Sequence, residues 1–317
     1  MKETAVQLST PQEKRRAARK SWNMKRNWPL HMMLLPALIL VIIFQYVPMA
    51  GIVIAFQDFK PFKGLTGSEW VGFDNFRFLL KYPDIGQVIW NTLVIAFFKM
   101  AAGLIVPFLF AILLNEIRLM AFKRITQTLV YLPHFLSWVI LGGILLDILA
   151  PDGGLVNKAV TAFGFKEIFF LGDNNWFRFT LIVSDVWKEF GFGTIVFLAA
   201  LAGINPALYE AAEVDGASRL KQTIHITMPA LMPITIVLGT LSIGNILNAG
   251  FDQVFNLYNP LVMEKGDIID TFVYRLGILN GKMSFATTVG LFKSVVATIL
   301  IATSYRMAYK FANYRVF

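Results

Sequence analysis

Apolar and polar positions alternate along this chain on a long scale, with extended hydrophobic runs separated by shorter polar intervals. Six runs stand out, at 31–56, 87–114, 125–150, 177–202, 230–250 and 284–308. Each reaches the roughly 20 residues that an α-helix needs to cross the hydrocarbon core of a bilayer. The pattern therefore predicts an all-α integral membrane protein with six transmembrane helices. The first run is too long for a signal-peptide core and lacks a small-residue cleavage site, so it predicts an uncleaved helix with Pro36 and Pro48 near its ends or at kinks.

The polar interval at 205–229, between the fourth and fifth runs, carries the densest local signals. Asn205 before Pro206 reads as an N-cap followed by proline at the first helical position, where a missing N–H costs nothing. Leu208, Ala211 and Ala212 then form a narrow stripe of mostly small apolar side chains. Gly216 suits the left-handed residue that ends such a helix, and Asp215 suits the turn. A second helix, with Ala217, Leu220 and Ile224 on one face, is expected to stop at Pro229.

Glu210-Ala211-Ala212, Asp215-Gly216-Ala217, Ile226 and Pro229 match in order and spacing the EAA loop of membrane permeases in binding-protein-dependent ABC importers. Thr223, where an aromatic is frequent, and Met228, where leucine is usual, depart from that pattern. The resemblance implies a cytoplasmic coupling loop at 205–229 whose helices dock on an ATPase. It also implies a second permease subunit, two ABC ATPase subunits and an extracytoplasmic solute-binding protein as partners. ATP and Mg would be bound by the ATPase, and this chain would carry no cofactor. A looser resemblance runs through the first 80 residues or so. The pattern LPALxxxxxFxYxPMxGIxIAF and the stretch from Glu69 to Phe76 are similar to permeases that import oligosaccharides and polysaccharide fragments, which implies a saccharide substrate.

Composition sharpens this picture. The 317 residues are 56% hydrophobic, rare for a soluble domain of this length, and include no cysteine, which excludes disulfides, zinc–thiolate sites and thiol nucleophiles. The net charge of +9 owes much to Lys14, Arg15, Arg16, Arg19, Lys20, Lys25 and Arg26. Beside a membrane span such a cluster sets topology and gives no reason to expect nucleic acid. Lysine and arginine favour the side that holds both termini and the 205–229 loop, which places that side in the cytoplasm. Residues 1–30 read as a basic cytoplasmic segment and 31–317 as one permease domain.

No catalytic constellation is evident. There is no GxxxxGK[ST] phosphate loop, and His31, His134 and His225 lack metal-ligand spacing. Any ATPase must be a separate chain, and the sequence is not that of an enzyme. Polar residues inside the runs are the remaining candidates, because a charged side chain at mid-bilayer costs about 2.5–3.5 kcal/mol on insertion scales unless it faces protein or water. Asn245, Asn248 and Asp252 are predicted to share one helix face, while Ser184, Asp185, Lys188 and Glu189 cluster in one turn, where an Asp185–Lys188 pair is one arrangement. With Trp187 and the mid-span Lys293 these make the candidate substrate path, and lysines near it permit an acidic, uronate-containing saccharide. Lys99 lies mid-span in the second run. The alternative function is a self-sufficient ion-coupled transporter or channel using Asp147, Asp185 or Asp252, although no internal symmetry supports it.

Overall fold

The computed structural model describes residues 24–312, with side chains for 28–306. The basic N-terminal cluster through Lys20 and the last five residues lie outside the described residues. The chain divides into two compact units at Val53 and Ile54. The first holds α1 (Met24–Val41), a π-turn (Ile42–Tyr46) and the start of a 3₁₀ stretch (Val47–Phe56). Together these give an apolar helix from Trp28 to Phe56, long enough to span a membrane.

In the second unit a two-stranded antiparallel ribbon, β1 (Gln57–Asp58) against β2 (Glu69–Trp70), precedes α2 (Asp74–Lys81). Next come α3 (Ile85–Glu116), α4 (Met120–Tyr131), α5 (Trp138–Ile148), α6 (Leu155–Ala162) and α7 (Asn174–Ala202). After α8 (Pro206–Val214), α9 (Arg219–Gln222) and α10 (Met228–Ile243) the chain ends with α11 (Phe251–Leu257), α12 (Ile269–Tyr274) and α13 (Met283–Ala312). The long helices α3 and α7 pack side by side along their length. Toward one end Ile95, Phe177, Leu181, Ala249 and Val254 share a buried cluster; toward the other Phe108, Ala111, Phe197, Leu201 and Leu231 do. Gly191 lets α7 approach the end of α4 closely, because a Cβ there would fall 2.0 Å from the Val130 carbonyl oxygen.

Among the described residues four helices are individually long and apolar enough to cross a membrane, or up to six spans if each of two bent helix pairs is one span. The expected spans need three corrections. The third is not one helix: α4 and α5 meet at 104° around Leu136. Pro133 opens a 3₁₀ turn there, and the Ser137 hydroxyl accepts the Ile140 N–H at 3.3 Å to start a new helix.

The fifth span also starts and ends earlier than its hydropathy suggests. Pro229 marks no boundary, since the helix runs unbroken from Arg219 to Ile243. A π-turn at Thr223–Thr227 lies just before the proline. Its wider ring accommodates the pyrrolidine that a tight α-turn would reject, and Pro48 likewise follows the π-turn Ile42–Tyr46. At the far end α10 stops at Ile243, and an irregular stretch leads to Gly250 at φ +92°, ahead of α11. Asn245, Asn248 and Asp252 therefore do not share a helix face, the first two lying in the irregular stretch and Asp252 in the first turn of α11.

Candidate functional site

The loop at 205–229 is built almost wholly by local bonds. The Asn205 side chain accepts the Ala207 N–H at 3.1 Å, and Pro206 takes the first helical position of α8. At the other end the Gly216 N–H reaches the Glu213 carbonyl at 3.0 Å and the Ala217 N–H reaches that of Ala212 at 2.8 Å. With Gly216 at φ +73° this is a Schellman ending. Ser218 then caps α9 through the Lys221 N–H. No residue of α8 is buried: Leu208 is 52% and Val214 89% exposed, and Glu210, Ala211 and Asp215 face outward as well. Ala212, Ala217 and Ile226 are half-buried and Pro229 exposed. Met228 packs against the buried cluster around Phe108 and Phe197, and two polar side-chain contacts tie α8 and α9 to their surroundings. The Tyr209 hydroxyl lies 2.9 Å from that of Thr227, and Arg219 pairs with Glu116, at the end of α3, at 3.2 Å.

A partly open, polar-lined cavity of about 310 Å³ is bounded by α3, α7, the end of α10 and the irregular stretch after it. Lys99, Asp185, Ser242, Asn245, Asn248 and Gly250 contribute to its wall. Lys99, only 8% exposed, donates to the Ala249 carbonyl at 2.8 Å and to the Gln253 side-chain oxygen, and lies 3.3 Å from the Asp185 carboxylate. Gln253 in turn gives its amide N–H groups to the Leu181 carbonyl and the Ser184 hydroxyl, both at 2.8 Å. A buried charge is tolerated only when paired and hydrogen-bonded, and this one is both.

Of the predicted path residues, then, Asp185, Asn245 and Asn248 come together, and the others go elsewhere. No Asp185–Lys188 pair forms. Lys188 instead bonds Glu189 at 2.7 Å and the His134 carbonyl at 3.0 Å, while the His134 ring sits 2.7 Å from Glu189 and stacks on Phe192, pinning the break of the third span onto α7. Trp187 borders a separate, almost wholly apolar pocket of about 290 Å³ with Phe179 and Val183. Lys293 is 2.5 Å from Asp270, and Asp252 does not border the polar cavity. Lys99 and Gln253 are the residues that sequence reasoning did not place in the site. The available signal was a lysine in the middle of a long apolar run, which demands buried acceptors.

The profile of the family described as binding-protein-dependent transport system inner membrane component matches residues 103–313. The chain belongs to this family. This inner membrane component is 45% identical over 284 residues to the polygalacturonan/rhamnogalacturonan transport system permease protein YteP of Bacillus subtilis strain 168, covering 90% of this chain and 88% of that protein. It is 44% identical over 288 residues to protein LplB of the same organism, covering 91% of each. Among solved structures it resembles a chain of a bacterial ABC transporter involved in the import of the acidic polysaccharide alginate, with TM-score 0.85, 38% identity and coverage of 92% of this chain and 99% of that one. Membership makes the chain a multi-pass membrane permease subunit of an ABC importer and not an enzyme, and it removes the reading of a self-sufficient ion-coupled carrier.

Proposed function

We propose that this permease passes an acidic, uronate-containing oligosaccharide or polysaccharide fragment inward across the membrane. The saccharide is handed over by an extracytoplasmic binding protein, a second permease supplies the other wall of the path, and two ATPase subunits power the movement. Both termini and the 205–229 loop lie in the cytoplasm. The observation that carries this reading is the pairing, in one chain, of a polar cavity among the spans with a rigid, uncovered helix at the end of a span. The cavity offers the Asp185 carboxylate and the Asn245 and Asn248 amides, groups suited to sugar hydroxyls. The helix α8, with Glu210, Ala211, Ala212, Asp215, Gly216 and Ala217, offers the ATPase a fixed shape, and the π-turn containing Ile226, followed by Pro229, joins it to α10. Closure of the ATPases on α8 would then rock the spans between outward-open and inward-open states.

The acidic substrate class is supported by the relatives, whose names specify polygalacturonan and rhamnogalacturonan in one case and alginate in another. The test is uptake by proteoliposomes holding both permeases and the ATPases, with binding protein and ATP supplied. Import of oligogalacturonates in preference to neutral oligosaccharides of the same length is expected. Import of neither class would overturn the saccharide reading.

A further inference from the structure

We propose that Lys99 is the positioning residue of the polar cavity: its ammonium group clamps the irregular stretch between α10 and α11 to α3 and α7 and is not a contact for the charge of the transported molecule. This rests on reading the cavity as part of the path. A lysine ammonium has three N–H donors. Here three acceptors surround it, the Ala249 carbonyl in the irregular stretch, the Gln253 side-chain oxygen in α11 and Asp185 in α7. Two donors go to the Ala249 carbonyl and the Gln253 side chain, and the charge is matched by Asp185 within the protein.

The stretch it holds is seated by apolar packing of Ile246, Leu247 and Ala249 in two buried clusters, but its backbone has little regular bonding. Between Ile243 and Phe251 no regular ladder exists, and the backbone bonds there are short-range turns such as Asn245 to Ser242 and Asn248 to Asn245. Gly250 sits at φ +92°, a conformation that favours glycine, and a Cβ on it would approach the Lys99 nitrogen to 3.1 Å. The ammonium thus ties this stretch to α3 through the Ala249 carbonyl, and the Gln253 side chain ties the adjoining start of α11 to α7. Asn245 and Asn248, on either side of the apolar anchors, depend on those links for their places on the cavity wall. Asp185, whose side chain is a quarter exposed, is oriented from the same nitrogen.

The test uses the absence of cysteine from the chain. Ala249 is 1% exposed, so a cysteine there should resist a hydrophilic maleimide in the purified importer complex. Adding Lys99→Met should speed labelling of Ala249→Cys by about tenfold or more, as a locally released segment opens. Ala111→Cys, in the cluster at the other end of α3 and 0% exposed, should stay blocked in both backgrounds. Because Lys99→Met alone strands a buried carboxylate, Lys99→Met with Asp185→Asn provides a neutral version that should assemble and show the same release. In uptake assays the neutral version should lose about tenfold or more in maximal rate, equally for acidic and neutral saccharides, with unchanged half-saturation by loaded binding protein. Ala249→Cys remaining blocked in both Lys99 backgrounds, Ala111→Cys opening together with it, or an uptake loss confined to acidic saccharides would each overturn the proposal. The labelling results need no transport, so a native complex that imports no saccharide would sink the functional reading and leave this test intact.

Discussion

The 205–229 loop and the polar cavity are both made of polar residues between apolar runs, yet they are held in opposite ways. In the loop every shape-giving bond spans a few residues: Asn205 to Ala207, Gly216 to Glu213, Ala217 to Ala212 and Ser218 to Lys221. In the cavity the deciding bonds join residues far apart in sequence, Lys99 to Asp185, Lys99 to Ala249 and Gln253 to Leu181. The loop is stiff without being covered, which suits a surface that must be recognised by another chain. The cavity is stiff only through its own partners, which suits a wall that must keep its polar groups out of lipid.

Substitutions can break this comparison, and the largest effect is expected in the cavity. Asp185→Leu removes the partner of Lys99 and leaves an unpaired buried cation, at a cost of about 3–5 kcal/mol. The purified complex should melt well below the native one, and Lys99→Met added to it should recover most of the loss. A melting point unchanged by Asp185→Leu would show that the pair is not a structural link.

In the loop the corresponding losses are smaller and local. Asn205→Ala removes the cap of α8 and should cost about 1 kcal/mol. Because α8 is uncovered, the cost should appear as a severalfold drop in ATPase affinity, with the melting point of the permease unmoved. A global melting shift would contradict the local reading of the loop. Tyr209→Phe deletes the hydroxyl contact with Thr227, a bond of about 0.5–1.5 kcal/mol. ATPases should stay bound while transport per ATP hydrolysed falls, and equal losses in binding and transport would count against a connecting role. Arg219→Ala removes only an exposed pair with Glu116, worth about 0–1 kcal/mol, and should change neither ATPase retention nor transport by more than about twofold.

The same contrast explains what could be read from the sequence. Asn205, Pro206 and Gly216 announce their roles because capping and left-handed turns are decided by neighbours in the chain. The six spans are legible for a similar reason, since length and apolarity are local sums. The break at Leu136 and the end of α10 at Ile243 were not read, because window-averaged hydropathy carries each run past its few polar residues, Pro133 to Ser137 in one and Gly244 to Asn248 in the other. Hydropathy does not register that Pro133 and Ser137 form a turn pinned by Lys188 and Glu189 from α7. The partner of Asp185 was hidden too, because Lys188 is nearer in sequence and Lys99 nearer in space. The continuity of the helix through Pro229 depends on a π-turn, which no residue pattern in the loop specifies.

The central claim is that α8 and its Schellman ending form a preformed coupling surface between ATPase and spans. The most direct test is ATP hydrolysis by the reconstituted complex, with and without loaded binding protein, in a permease carrying Gly216→Val and Ala212→Arg. Valine at a left-handed position costs about 1–3 kcal/mol, and arginine on the half-buried Ala212 overfills the small face of the loop. The account predicts a permease that inserts, pairs with its sister subunit and melts as the native one does, but gives no stimulation of hydrolysis by loaded binding protein. Native stimulation with both substitutions in place would contradict it.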